Sequence, residues 1–179
     1  MVEWRARGDP VAVETVLREW VKREARKPQY PDADPGEWHR ERLATELAET
    51  YEEPVDPVLE DRLDWRAVTL SGEELGRLGT FPEPSWARFS GDGTVAGAVD
   101  RLSQPEVAAE FPDATEKIEW FAERPTTEFG AAVAWQRDGD WPPVLLDGNH
   151  RACGIHEAAR RGTESAVVVH LGYEVLPER

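Results

Sequence analysis

Eight consecutive residues, Leu145-Leu146-Asp147-Gly148-Asn149-His150-Arg151-Ala152, gather side chains suited to holding negatively charged oxygen. Arg151 can grip a phosphate with two parallel hydrogen bonds, and His150 can donate one or accept a proton. Gly148 has no Cβ, so a ligand can approach the backbone closely there. A helix starting at Asn149 adds free N–H groups and the positive end of its dipole, and Asn149 itself suits the N-cap. Asp147 either holds the loop by accepting backbone N–H bonds or sits beside a divalent cation such as Mg²⁺. The chemistry suggested is phosphate binding, with Asp147 and His150 as candidate catalytic groups. Against it stands a helix start that caps itself, with Arg151 paired to one of the chain's 36 acids.

Other residues are weighed the same way. Asp147, His150, Cys153 and His156 recur every three residues. Each such step on a helix turns the side chain by roughly 60° short of a full turn, so the four cannot converge on one metal ion. Cys153 reads better as a small buried residue and His156 as a core histidine. Trp86, Trp135 and Trp141 lie in or near segments that could line a pocket. Trp135 and Trp141 are the candidates for stacking on a base, and core packing is the competing reading. Trp120 reads as helix packing.

The elements that must position these groups follow from periodicity and punctuation. Residues 131–136 and 141–146 read as strands joined by an Asp138-Gly139 turn. Residues 149–161 read as a helix ended by Gly162, and 165–170 as a strand. Strands 141–146 and 165–170 are expected to be parallel if they share a sheet. Upstream, 65–70 reads as a strand, and Ser71-Gly72-Glu73-Glu74 as a capping box opening a short helix through Leu78. A Pro/Gly-rich loop spans 79–93, and helices are expected over 95–102, 105–111 and 114–123. The first 60 or so residues read as helical, punctuated by Asp9-Pro10, Asp34-Pro35 and Asp56-Pro57 as helix starts.

The run VLLDGNHRACGIHEAARRG, followed by SAVVVHL, resembles the ParB/sulfiredoxin superfamily in its apolar strand, Asp-Gly-x-His-Arg loop, Ala-rich helix, Gly and Val-rich strand. The resemblance covers Pro142 to Leu171 and extends more thinly back to Trp65. It implies an α/β (α+β) domain over about 64–175, a mixed sheet with a crossover helix, preceded by a helical extension over 1–63. It also implies a nucleotide, ATP, ADP or CTP with Mg²⁺, bound at Gly148, Asn149, His150 and Arg151. Sulfiredoxins carry their reactive Cys immediately before the His-Arg pair, where this chain has Asn149. The free-serine-kinase branch transfers phosphate to a small hydroxyl substrate and carries an acidic general base after its first strand and helix. Phe81-Pro82-Glu83 occupies the comparable place, so the resemblance assigns that role to Glu83. The expectation is a nucleotide-dependent small-molecule phosphotransferase (kinase-like) or nucleotide hydrolase. The alternative is a non-catalytic nucleotide-sensing module that recruits a protein partner.

Composition bounds these readings. The chain has 179 residues, 40% of them hydrophobic, enough for a packed core. Its formal charge of −15 repels polyanions at long range, so duplex DNA is not an expected partner. No run of about 18 apolar residues is present, so no membrane span is expected. The start Met1-Val2-Glu3-Trp4-Arg5 has no apolar signal region, and a cytoplasmic location is expected. The single cysteine excludes an internal disulfide. The extension is expected either to cover the pocket or to form a homodimer surface. Basic residues are nearly all Arg, with Lys only at 22, 27 and 117, a bias read as genome composition.

Overall fold

Apolar residues alternate between two faces along the strands of the computed structural model, which describes residues 2–29, 34–60, 63–124, 126–136 and 142–175. Its strands are β1 (Asp9–Pro10), β2 (Leu63–Ser71), β3 (Ala132–Gln136), β4 (Val144–Asp147) and β5 (Ala166–Glu174). They form one mixed sheet in the order β1-β2-β5-β3-β4. β5 is antiparallel to β2 and parallel to β3, while β4 returns antiparallel beside β3. With helices on both sides, the fold is α+β.

One face carries Val68, Leu70, Ala132, Ala134, Leu145, Val167, Val169 and Leu171. It is covered by α4 (Gly72–Leu75), α5 (Pro84–Ser90), α6 (Val95–Leu102), α7 (Pro105–Glu110), α8 (Pro112–Ala122) and α9 (Asn149–Arg160). The opposite face, with Trp65, Val133 and Leu146, is covered by the N-terminal segment. There α2 (Val13–Glu24) buries Val16, Leu17, Trp20 and Val21 at helical spacing. Next comes α3 (Arg40–Thr45), continued by a π-helical turn over Glu46–Thr50. The short helix α1 (Val2–Arg7) sends Trp4 into the first core.

Several sequence expectations are corrected here. The 144–147 and 166–174 strands share the sheet but run antiparallel, because β4 forms a hairpin with β3 and it is β3 that lies parallel to β5. Asp9-Pro10 does not open a helix. It pairs with Ala67 and Arg66 at the sheet edge, where a proline without an N–H is tolerated. α2 begins three residues later without a side-chain cap, and the second helix begins at Arg40 rather than after Pro35. The 79–93 loop contains α5, with Pro84 at its first turn and Trp86 and Phe89 buried.

Other expectations hold. Asp56-Pro57 opens a short 3-10 helix over Asp56–Leu59. The Ser71 capping box forms: the Ser71 hydroxyl accepts from the Glu74 N–H at 3.2 Å, and Glu74 accepts from the Ser71 N–H at 3.0 Å. Its helix closes at Leu75 instead of Leu78. The Asp138-Gly139 turn lies outside the described residues. No helix among the described residues is long and apolar enough to cross a membrane.

Candidate functional site

β4 ends at Asp147, and Gly148 turns the chain into α9 with φ +88°, a left-handed conformation that favours glycine. Gly148 is therefore the N-cap, and Asn149 is the first residue of the helix. The Asn149 side chain does other work. Its Oδ1 accepts from the Phe81 N–H at 2.9 Å and so fastens the 79–83 loop to the start of α9. That bond brings Glu83 to the same cleft as His150. The Trp86 ring centroid lies 4.8 Å from that of His150. The turn sits at the amino-terminal end of the parallel pair β3–β5, beside Gly130 and Ala131, because β4 runs against both strands.

A cleft of about 1500 Å³ opens there. Glu83, Gly148, Asn149, His150 and Arg151 all line it. Trp86 does as well, together with Trp120 and Lys117 of α8 and Lys22, Arg23, Arg26 and Lys27 of α2 and its C-terminal end. Trp135 does not; it packs on the opposite face of the sheet against the N-terminal segment. Trp141 lies outside the described residues. Trp120, expected to pack, is 45% exposed, with the Arg124 guanidinium 3.9 Å from its ring centroid. The cleft cations on α2 and α8 were not singled out from sequence. Only the fold brings them together: the cleft collects every lysine of the chain, at positions 22, 27 and 117.

Behind the turn lies a charge clamp. Asp147 Oδ2 accepts from Arg23 Nη2 at 2.5 Å and from Arg151 Nη2 at 3.1 Å. Arg23 Nη1 donates to the Ala131 carbonyl at 2.6 Å, and Arg151 Nη1 donates to the Gly130 carbonyl. Arg151 is only 5% exposed. Burial lowers its pKa to about 10, offset in part by Asp147, so it stays charged at neutral pH. Two guanidiniums thus tie the end of β4, the start of β3 and α2 into one unit. With its Oδ2 taken by both arginines, Asp147 holds the loop through that oxygen. Among the described residues no three His, Cys, Asp or Glu side chains come together as a metal site.

His150 is pushed down to about 4, first by burial and then by the charges of Lys117 and Lys27. At pH 7 it is neutral, with one ring nitrogen donating and the other accepting. Cys153 is fully buried and its thiol is pushed well up, which makes it inert. His156 Nδ1 lies 2.8 Å from the Gly72 carbonyl and joins α9 to α4.

Glu53 reaches the same network. After the π-helical turn, Glu52 takes a positive φ of 56°, a strained conformation for a side chain with a Cβ. Lys27 Nζ pairs with the buried Glu24 and lies 3.9 Å from Glu53 Oε1. Burial first, then the charges of Asp147 and Glu24, push the Glu53 carboxyl up to about 8. A carboxyl raised on folding contributes stability below its unfolded pKa and loses it as pH rises through the folded value. The lowered His150 and His170 act in the opposite sense, but only below about pH 6.5. Between pH 6.5 and 8 the protein is therefore expected to lose stability, by at most about 1.4 kcal/mol per pH unit. Glu53→Gln is expected to flatten that slope in thermal melts taken across the range; equal slopes would show that Glu53 ionises freely.

Compared with protein-family models, curated proteins and solved structures, the chain matches none.

Proposed function

We propose that the cleft binds a nucleotide (ATP, ADP or CTP), and that the protein is a ParB/sulfiredoxin-like phosphotransferase acting on a small hydroxyl compound. One observation carries the reading. A chain with 36 acids and 21 bases places all three of its lysines around one cleft, next to the Gly148–Arg151 turn, so that Lys and Arg match the acids there in number while the chain as a whole is strongly acidic. The first N–H groups of α9 and neutral His150 donate to phosphate oxygens. The Arg23–Asp147–Arg151 clamp holds those donors in place before the ligand arrives, which is the form of electrostatic stabilisation that costs least reorganisation. Glu83 accepts the proton of the attacking hydroxyl as its oxygen bonds to phosphorus and the nucleotide leaves with the shortened phosphate chain. Magnesium would arrive on the phosphates and offset their charge.

A second reading is a nucleotide sensor that recruits a protein; in either reading Arg151, whose Nη1 and Nη2 donors are held by Gly130 and Asp147, shapes the turn and does not grip a phosphate with two parallel bonds. The two are separated by incubating the protein with Mg²⁺ and each nucleotide, with and without a panel of hydroxyl metabolites. Glu83→Gln is expected to bind nucleotide within about threefold of wild type and to lose turnover by about 10²–10⁴-fold. Binding without turnover in the wild type selects the sensor. Calorimetry showing no affinity for any nucleotide removes both readings.

A further inference from the structure

We propose that the N-terminal segment supplies half of the binding site. In this arrangement Lys22 and Arg26 of α2 and its end, together with Lys117 of α8, form a two-walled cation clamp that reads how many phosphates the ligand carries. The proposal rests on the reading that the cleft takes a phosphorylated ligand, and adds which residues measure it.

The walls come from opposite layers. α2 is anchored by Val16, Leu17, Trp20 and Val21 in the core on one face of the sheet, and α8 by Ile118 in the core on the other. Both nevertheless line the cleft, which therefore straddles the end of the sheet at Gly130 and Gly148. An anion held there is approached from two sides.

The cations along α2 divide into two pairs by helical spacing. Arg23 and Lys27 are four apart and turn inward, where Asp147 and Glu24 neutralise them. Lys22 and Arg26 are also four apart, one position earlier, and both are exposed. Like charges at that spacing destabilise a helix by a few tenths of a kcal/mol, so an acid between or beside them would be favoured. Among the described residues neither has an ion-pair or hydrogen-bond partner, and neither does Lys117. These three line the cleft and stay unpaired even though Glu19, Asp113 and Glu116, close to them in sequence, line it too. Arg151 adds a second indication: it is buried, it lines the cleft, and its Nε has no hydrogen-bond partner. A monophosphate can be satisfied by the α9 turn alone. Each further phosphate adds negative charge and length, and meets the outlying cations.

The test is calorimetry on the full chain at low salt with inorganic phosphate, pyrophosphate and triphosphate, which isolate the clamp from any base contact, and with AMP, ADP and ATP. Wild type is expected to bind triphosphate at least about tenfold tighter than phosphate. Lys22→Gln/Arg26→Gln and Lys117→Gln are each expected to lose about tenfold for triphosphate and ATP, with less than about twofold change for phosphate and AMP. Arg101→Gln, the same charge change as Lys117→Gln but away from the cleft, is expected to leave every affinity unchanged. Nucleotides bound equally by wild type and the clamp variants would overturn the clamp while sparing the nucleotide reading. Failure of wild type to bind any phosphate compound would overturn both.

Discussion

Asp147→Ala is expected to lower the stability of the protein by about 3–5 kcal/mol, the cost of removing one partner from a buried ionic group. For a chain of this size that corresponds to a melting point lower by about 10 °C. The reason is geometric. Asp147 Oδ2 is the shared acceptor for Arg23 and Arg151, whose side chains are 19% and 6% exposed. Without the carboxylate the two guanidiniums repel each other in a place water reaches poorly. Asp147→Asn keeps the shape and loses the charge, and is expected to be nearly as damaging. Chemical denaturation checks both; a midpoint unchanged in Asp147→Asn would mean that the guanidiniums are hydrated and the clamp contributes little. Arg151→Ala leaves Asp147 with Arg23, so it is expected to be milder.

Gly154→Val is the second large effect. A Cβ at Gly154 would stand 2.4 Å from Phe121 Cβ, 2.7 Å from the Ile118 carbonyl oxygen and 3.0 Å from the Ala122 nitrogen. Two of these are backbone atoms of α8, which cannot swing aside, so α8 must move off α9. Overpacking of this kind costs about 1–3 kcal/mol, more than the roughly 1 kcal/mol that leaving glycine returns to a helix. Because α8 carries Lys117 and Trp120, the displacement is expected to weaken ligand binding as well as stability. Binding measured below the melting range separates the effects: native affinity in a destabilised Gly154→Val protein would show that the α8 wall is not part of the site.

How much of this could be read from the residues depended on the range of the interaction. The Ser71 capping box and the α9 helix are local, set by neighbours within four positions, and both formed where expected. The neighbours of β5 were not legible, because strand order is settled by long-range pairing that no local pattern encodes. Trp135 shows the same limit: alternation puts it on the opposite face from Ala134, but not under which layer. α5 was hidden because Pro82, Pro84 and Gly91 look like loop punctuation, although Pro84 at a first turn with Trp86 and Phe89 three apart is a helix signal. At the site, the residues of the turn and Glu83 reach one cleft, while the cations of α2 stayed unread because 108 positions separate Arg23 from the Ala131 carbonyl it meets.

The strand at the centre of the sheet is also the last in sequence among the described strands. Among the described strands β2 and β3 meet only through β5, so their inner edges have no partner in the sheet until residues 166–174 are in place. Their inner edges stay open for that interval, a state prone to intermolecular pairing. Closing the sheet is therefore a long-range event: β5 acts as the wedge that welds the β1–β2 pair to the β3–β4 pair.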